Sequence, residues 1–346
     1  MKAQLPTAAQ RAQQGQESFF HKVSFLIPTY NTDPTLLHEL VDSLLDQTCP
    51  LWEACFYDGA SPSEATRQAL LTEAARDARI RVTLGEENLG ISGNTNKAAE
   101  IAQHDVLALC DHDDLLTPDA VYCLLKAAEA GADLIYSDED KCNQAGTFFF
   151  DPHFKPDYSP YALCSGNYIC HLMATTRSLW DACHGLDSRY DGSQDFDLTL
   201  RLAEKAQCIL HIPRVLYHWR QLETSVSHQK AIHCAEVAAQ AVNEHLSRME
   251  LPGQADLTVG RLGRNFPIKL EFPETEDMAI SLIICGTCPQ PVKWARKLLL
   301  RTKGQPLEIL WTDMEVTHPQ LPSSRTIKTT GDRWEKLNQA AKEAKG

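Results

Sequence analysis

Apolar runs that suit buried strands alternate with helical segments from residue 23 to residue 137. Such alternation is typical of a mostly parallel, doubly wound α/β sheet. The pattern predicts strands over Val23–Ile27, Glu53–Tyr57, Ile80–Leu84, Val106–Cys110 and Asp133–Tyr136. It predicts helices over Pro34–Asp46, Ser63–Ala75, Thr95–Gln103 and Pro118–Ala130. After Gly146 the strands become shorter, and helices are predicted from Ser193 through Lys205 and over Gln229–Met249.

The fourth predicted strand runs directly into three carboxylates, Asp111, Asp113 and Asp114. In open α/β sheets, ligands bind beyond the carboxyl ends of the strands, and these side chains follow such an end. Clustered carboxylates repel one another unless a cation lies between them. Oxygen ligands of this kind suit a hard divalent metal. The sequence therefore suggests a metal site at this edge of the sheet.

Three kinds of site contain a D-x-D pattern of this sort. An EF-hand requires Asp or Asn at the fifth position and Gly at the sixth, where this chain has Leu115 and Leu116. A phosphatase of the D-x-D-x-T type would have Thr or Val at position 115, and its motif would follow the first strand. The third kind is the site of a nucleotide-sugar glycosyltransferase, which needs further residues in fixed places along the chain.

Those further residues are present in order. The motifs are Ile27–Asn31, Asp58–Ser61, Asn88–Asn96, Asp111–Asp114, Tyr136–Lys141, Phe154–Pro156, Gly192–Leu198 and Leu216–Arg220. Over residues 23–228 the chain resembles family 2 glycosyltransferases, in particular the bacterial polysaccharide or O-antigen type that often carries two such domains in tandem. Two positions depart from the family pattern, Gly59 in place of a second Asp and His104 in place of a Gly. The departure at His104 removes no chemical group.

The resemblance implies a GT-A fold and transfer of a sugar from a nucleoside-diphosphate sugar, assisted by Mn²⁺ or Mg²⁺. It implies that Asp113 binds the cation directly and that Asp111 orders the ribose or a water on the cation. It also implies that Asp195, at the start of a helix, is the general base, although an Asp in this position can be a simple helix cap. One base and a metal-stabilised leaving group predict a single displacement with inversion. The acceptor would be a growing surface glycan, free or lipid-linked.

Donor binding is predicted for nine residues: Pro28, Thr29, Tyr30, Asn31, Asp58, Asn96, Asp111, His218 and Arg220. Asp58 could accept a hydrogen bond from a base N–H, which favours UDP or dTDP, or could cap the turn at its strand end. Asn96 would either face the donor from its helix or only pack against neighbouring residues there. His218 and Arg220 contact the diphosphate or a closing loop, or are surface groups. The segment Tyr136–Asp140 belongs, with Lys155, to the acceptor side, or it forms a solvated acidic turn.

The C-terminal part repeats the beginning of the chain. Three segments match earlier ones: Ile280–Ile284 with Val23–Ile27, Leu307–Asp313 with Trp52–Asp58, and Leu337–Ala344 with Thr95–Ala102. This repeat has no carboxylate cluster and no base, and Cys285–Cys288 stands where the first copy has Pro28–Asn31. We expect a tail over residues 1–20, a catalytic domain over 21–250, a linker over 251–278, and a partial, inactive second domain over 279–346.

Composition excludes several other classes. The net charge of −13 argues against a nucleic-acid groove. Twelve scattered cysteines indicate free thiols in a reducing compartment. We expect neither a signal peptide nor a membrane span, and therefore a cytoplasmic protein that docks at the inner face of the membrane through partners.

Two rival functions remain open at this stage. A sugar nucleotidyltransferase would need a Gly-rich, basic first loop, which residues 28–33 do not form. A catalytically degenerate, transferase-like scaffold in a polysaccharide assembly complex is disfavoured by the intact set Asp111, Asp113 and Asp195.

Overall fold

The structure is a computed structural model that describes residues 5–222, 231–257, 268–271, 280–285, 290–293, 295, 297, 307–312 and 324–344. The chain divides into two compact units, Met1–Phe272 and Pro273–Gly346. The predicted features at Thr258, Pro273–Asp277, Cys288 and Asp313 lie outside the described residues. Within the described ranges, no helix is long and apolar enough to cross a bilayer, and no two cysteines form a disulfide with each other.

The first unit contains eleven described strands and nine α-helices. The strands are β1 Val23–Thr29, β2 Trp52–Asp58, β3 Ile80–Leu84, β4 Val106–Leu109, β5 Leu115–Leu116, β6 Leu134–Cys142, β7 Phe149–His153, β8 Met173–Thr176, β9 Ile209–Arg220, β10 Gln254–Leu257 and β11 Ile268–Glu271. The helices are α1 Ala8–Gln16, α2 Pro34–Leu45, α3 Glu64–Ala74, α4 Gly90–Ile101, α5 Ala120–Glu129, α6 Pro160–Ser165, α7 Arg177–Ala182, α8 Gln194–Lys205 and α9 Ala231–Arg248.

Nine of these strands form one sheet in the order β3-β2-β1-β4-β8-β6-β9-β5, with β7 paired to β6. The pairs β1–β2, β2–β3, β1–β4 and β6–β9 are parallel, whereas β8 runs antiparallel between β4 and β6. Every residue of β1 and β2 is buried because helices cover both faces. Two apolar clusters, one on each face, pack helices against the sheet. The predicted α/β class is therefore confirmed.

Helix boundaries follow local capping chemistry. Helix α2 begins at Pro34, where a missing N–H costs nothing, and the side chain of Asp33 accepts from the Thr35 N–H at 2.7 Å. The prediction for α4 was wrong at its beginning, since the helix starts at Gly90 rather than at Thr95. The side chain of Asn94 explains the earlier start, because it accepts from the Leu89 N–H at 3.2 Å and so satisfies a backbone donor at the helix end.

Strand β6 is longer than predicted, and the prediction of a solvated acidic turn after Tyr136 was wrong. Asp138, Glu139 and Asp140 all lie buried within the strand. Each carboxylate has a side-chain partner in the folded chain, as in the 2.9 Å contact between Asp138 Oδ1 and His211 Nε2 on β9. Residues Ile209–Arg220 form one continuous strand, β9, because β6 pairs with it from Leu134 to Cys142.

Strands β10 and β11, which fall in the predicted linker, form a two-stranded antiparallel sheet of the first unit. Ala255 and Ile268 are buried in one of the core clusters. Asn243 of α9 fastens β10, since its side chain accepts from the Ala255 N–H at 2.7 Å and donates to the Ala255 carbonyl at 2.9 Å. The first compact unit therefore extends to Phe272, whereas the predicted catalytic domain ended at residue 250.

Helices α8 and α9 are joined by an ionic cluster around Glu204. Its carboxylate contacts His245 Nδ1 at 2.7 Å and is bound by the Arg248 guanidinium. Burial lowers the pKa of His245, but hydrogen bonds with Cys164 and Glu204 outweigh this and raise it to about 9. The imidazole is therefore charged in the folded protein at neutral pH.

This cluster predicts a pH-dependent stability. Because the folded pKa of His245 exceeds its unfolded value, its contribution is complete below about pH 6.5 and is lost as the pH rises towards 9. We expect a loss on the order of 1–3 kcal/mol in the free energy of unfolding over this window. Urea titrations of the wild type and of His245→Gln at pH 6 and pH 9 measure it. Equal pH dependence in both proteins would contradict the assignment.

The second unit contains strands β12 Ile280–Ile284, β13 Leu307–Trp311 and β14 Ser324–Thr326, and helix α10 Arg333–Lys342. The three strands are parallel. The pairing of Ile280 with Leu307 reproduces that of Val23 with Trp52, which are the residues that the repeat equates.

A polar triad is repeated as well. In the first unit Glu53 accepts from Ser24 at 2.7 Å and from Arg81 at 3.3 Å. In the second, Glu308 accepts from Ser281 at 2.9 Å and from Arg325 at 2.8 Å. The second unit thus has the strand register and the polar contacts of the β1-β2-β3 part of the first.

Candidate active site

The carboxyl ends of β1, β2 and β4 meet at one edge of the sheet. Thr29 lies opposite Asp58 in the register of β1 and β2, and the Cys110 N–H donates to the Leu26 carbonyl at 3.2 Å as β4 leaves the sheet. Because these strands are parallel, the loops that follow them lie side by side. Asp111 and its neighbours therefore begin beside the loop that carries Tyr30 and Asn31.

Two of the three clustered carboxylates are open to a ligand. The side chains of Asp111 and Asp113 are 47% and 22% exposed. Within the described ranges, neither carboxylate accepts a hydrogen bond; the imidazole nitrogen His171 Nε2 lies 3.7 Å from Asp111, and His112 Nδ1 lies 3.9 Å from Asp113. These carboxylate oxygens are thus available as ligands.

Asp114 has a different role from its two neighbours. It is buried, and its oxygens accept from the Tyr217 hydroxyl at 2.6 Å and from the Arg220 backbone N–H at 2.7 Å. The same hydroxyl accepts from the Asp111 N–H at 3.1 Å. Asp114 therefore fastens the acidic loop to β9, and its hydrogen-bonding capacity is used within the protein.

The electrostatics of the cluster favour a cation. Desolvation by the surrounding protein raises the pKa of Asp111, although its side chain stays partly exposed, and Asp113 and Asp195 raise it further, while His171 opposes the rise. Among the described residues, no three His, Cys, Asp or Glu side chains form a ready metal cluster. Two carboxylates nevertheless fit Mg²⁺ or Mn²⁺, because such ions take the rest of their ligands from substrate phosphates and water. The residues therefore suit a cation that is completed by a phosphorylated substrate.

His171 is a site residue that the sequence did not reveal. Its imidazole stacks on Tyr217 with ring centroids 5.0 Å apart, and Nδ1 lies 3.2 Å from Glu139 Oε2. Burial lowers the pKa of His171, but the hydrogen bond that the imidazole donates to Glu139 and the nearby carboxylates outweigh this and raise it to about 9. A positive side chain therefore lies between Glu139 and Asp111. A lone histidine in an irregular segment gives no signal of such a position.

The first loop and the turn after β2 are bound to each other. The buried Asp58 accepts from the Ser61 N–H at 2.9 Å and from the Ser61 hydroxyl at 2.5 Å. The Ser61 hydroxyl in turn accepts from the Asn31 N–H at 2.8 Å. Asp58 therefore caps its turn, and its contact with a nucleobase stays a prediction. Pro28 and Thr29 are buried at the end of β1, while Tyr30 and Asn31 are exposed beside this turn.

The departure at Gly59 has a steric reason. A Cβ atom at this position would lie 2.4 Å from Asn94 Nδ2 and 2.9 Å from Asn88 Oδ1. An aspartate here would thus displace the two asparagines, which bond to each other at 3.0 Å at the beginning of α4. The turn has kept its shape with a smaller residue.

Asn96 uses both ends of its amide in packing. Its Nδ2 donates to the Leu186 carbonyl at 2.8 Å, and its Oδ1 accepts from the Leu186 N–H at 2.9 Å. The side chain thus binds α4 to the segment before α8. Its contact with the donor stays a prediction that these bonds do not support.

His218 and Arg220 lie beneath the acidic loop rather than on a surface. His218 is buried and bonded to Asp140. The fully buried Arg220 guanidinium donates to the Asp113 carbonyl at 2.5 Å and to the Gln144 carbonyl at 2.6 Å, and forms an ion pair with Glu39 at 2.8 Å. Arg220 thus shapes the backbone of the metal motif, and its proposed contact with the diphosphate stays a prediction.

Loss of Arg220 is expected to destabilise the protein. Arg220→Met leaves Glu39 and two carbonyls without their partner, so the free energy of unfolding should fall by about 3–5 kcal/mol in urea titrations. Arg11→Met, which removes an exposed ion pair with Asp46, is the control and should cost about 1 kcal/mol or less. Unchanged stability with a raised KM for the donor would instead place Arg220 on the diphosphate.

Asp195 lies in the first turn of α8, after Ser193. Its Oδ2 accepts from Asn167 Nδ2 at 2.9 Å. It raises the pKa of Asp111, so the two carboxylates lie within electrostatic reach of each other. The fold therefore brings together Asp195, Asp111 and Asp113, which are up to 84 residues apart in the sequence.

The comparisons with known proteins agree with this arrangement. The family model described as glycosyl transferase family 2 matches residues 24–179. An uncharacterized glycosyltransferase of Bacillus subtilis, YwdF, is 34% identical over 73% of this chain and 91% of its own length. The chain belongs to glycosyltransferase family 2. The resemblance seen in the motifs is confirmed.

Other members of family 2 are longer than this chain. The O-antigen biosynthesis protein RfbC of Myxococcus xanthus is 31% identical over 65% of the chain, but the chain covers only 18% of RfbC. The chain spans a quarter or less of the first curated relatives that it matches. Among solved structures, S. aureus TarS 1-349 in complex with UDP-GlcNAc is similar with a TM-score of 0.50 and 17% identity, over 65% of this chain and 73% of TarS. That likeness concerns the fold, which is GT-A.

Proposed function

We propose that this glycosyltransferase moves a sugar from a nucleoside-diphosphate sugar to a hydroxyl of a growing surface glycan, with inversion, and with Mn²⁺ or Mg²⁺ at Asp113 and Asp111. One observation carries the proposal. Two partly exposed carboxylates, Asp111 and Asp113, lie at the end of β4, and Asp111 is within electrostatic reach of Asp195, which is bound by Asn167 at the beginning of α8. The site therefore offers carboxylates for both halves of a displacement: Asp111 and Asp113 for the leaving diphosphate, and Asp195 for the acceptor hydroxyl.

Asp195 supplies the base. An ionised carboxylate within about 3 Å of an acceptor hydroxyl removes its proton as the oxygen attacks the anomeric carbon. The Asp195 carboxylate lies in the first turn of α8 and accepts a hydrogen bond from the Asn167 amide at 2.9 Å. Because the attacking oxygen enters opposite the leaving diphosphate, the product has the inverted configuration.

Asp111 and Asp113 lie on the donor side. They would hold a divalent cation that, when bound, stabilises the charge on the leaving diphosphate as a Lewis acid. His171 adds a positive side chain 3.7 Å from Asp111, which balances the carboxylates at the base of the site. Tyr30 and Asn31, exposed on the adjoining loop, are placed to contact the nucleoside.

The donor and acceptor classes rest on family membership. The name of RfbC associates that relative with O-antigen, and TarS of the same fold holds UDP-GlcNAc. We propose UDP or dTDP sugars as donors and a glycan, free or lipid-linked, as acceptor. Incubation with Mn²⁺, glycan acceptors and a panel of UDP-, dTDP- and GDP-sugars tests this through release of the nucleoside diphosphate. No release from any combination of donor and acceptor would overturn the proposal.

A further inference from the structure

One short stretch, residues 167–171, contacts both halves of the site, and we name it the bridging segment. At its beginning Asn167 donates to Asp195 at 2.9 Å. At its end His171 Nε2 lies 3.7 Å from Asp111 Oδ2. The same five-residue stretch therefore contacts both the proposed base, Asp195, and the donor-side carboxylate, Asp111.

The orientation of the Asn167 amide is fixed by the segment itself. Its Oδ1 accepts from the Ile169 N–H at 3.3 Å, so its Nδ2 must face Asp195. The Cys170 thiol also lies against Asp195: burial and then the Asp195 charge raise the pKa of this thiol. The segment therefore presents donor groups to the base, and the donor assignment follows from the bonds on both sides of the amide.

The backbone of the bridging segment is bound by the buried ammonium group of Lys155. The side chain of Lys155 is 0% exposed, and its Nζ donates to the Ile169 carbonyl at 3.0 Å and to the His171 carbonyl. Glu139 lies 3.6 Å from Nζ and accepts from the His171 N–H. The charges of Lys155 and Glu139 are thus paired with each other and with the backbone of the segment.

We propose that the bridging segment is a positioning element, in which Asn167 orients the Asp195 carboxylate and Lys155 holds the segment in place. The inference rests on the proposed function, because it assigns how the base of that reaction is aligned. Neither residue touches the reacting atoms. A buried ion pair adds little net stability over apolar packing, whereas its directed bonds fix the path of a segment that has no regular secondary structure. Small misplacements of a catalytic group cost as much as 10²-fold in rate.

A double-mutant cycle tests the role of Asn167. Asn167→Ala is expected to lower kcat about 10–100-fold with the donor KM within twofold, because outer contacts of this kind orient but do not bind substrate. Asn167→Asp should be worse than Asn167→Ala, since it puts a second carboxylate against Asp195. In an Asp195→Ala background, Asn167→Ala should cause no further loss, because the group that it orients is gone.

The control is Asn243→Ala, which removes another asparagine that clamps backbone, on α9. It should lower stability and leave kcat within twofold. A loss from Asn167→Ala that is equally large with and without Asp195 would overturn the proposal, as would wild-type activity in Asn167→Ala.

Lys155→Met gives a second measurement. It should lower kcat by a similar factor, while binding of UDP with Mn²⁺, followed by calorimetry, stays within twofold. If this variant does not fold, the cycle at Asn167 decides alone. The two proposals fail differently: absence of transfer in the wild type overturns both, whereas transfer that depends on Asp195 but not on Asn167 overturns only the positioning role.

Discussion

Replacing Asp195 by asparagine is expected to lower kcat by about 10³-fold, the middle of the range for general-base catalysis. The amide keeps the size of the side chain and can still accept from Asn167, but it cannot take the acceptor proton. Steady-state rates of nucleoside-diphosphate release, with a glycan acceptor and the active donor, measure the effect. The KM for the donor should stay within a few fold, since the donor contacts other residues.

The matched control lies two residues further along the same helix. Asp197 is fully buried and paired with Arg201, with Oδ2 2.9 Å from Nε. Asp197→Asn should lower the stability of the fold and leave kcat of the folded enzyme within a few fold. Equal losses of kcat in the two variants would show that α8, and not the Asp195 carboxylate, determines the rate.

The acidic residues of the site were predicted from the sequence in two ways. The role of Asp195 was predicted from the family resemblance of its motif, Gly192–Leu198. Asp111 and Asp113 have a local signal, because they directly follow an apolar run and so lie at the carboxyl end of a buried strand. The second unit was predictable for the same reason, since its strand register follows directly from the matched segments.

Residues that depend on distant partners could not be found in this way. Glu139 lies in a strand because its charge is matched by His171, 32 residues away, and by Lys155. An acidic run reads as a solvated turn unless those partners are known. Arg220 is a similar case, because its guanidinium interacts with Asp113 and Glu39, 107 and 181 residues earlier. Burial of charge is decided by tertiary pairing, and no local pattern encodes it.

These two classes of residue have different roles in the site. Residues that can be predicted from local sequence are those available to the substrate. Residues that cannot be predicted in this way hold the loops in place: Arg220 binds the acidic loop, and Lys155 binds the bridging segment. Substitutions in the first class should therefore change rates at constant stability. Substitutions in the second should change alignment, stability, or both.

Asp113→Ala is expected to lower kcat at least 10²-fold and to abolish its dependence on Mn²⁺. Asp113 has an exposed carboxylate that bonds to no donor in the described part of the chain, so its loss removes a ligand without breaking a packing contact. Its main-chain carbonyl, which binds Arg220, remains. Calorimetry should show that Mn²⁺ strengthens UDP binding in the wild type and not in the variant.

The contrast variant is Asp114→Asn. It disturbs the bonds to Tyr217 and Arg220 and should destabilise the loop, while the response to Mn²⁺ persists. Activation by Mn²⁺ that survives Asp113→Ala would refute Asp113 as the ligand, and loss of the response in both variants would point to the shape of the loop instead.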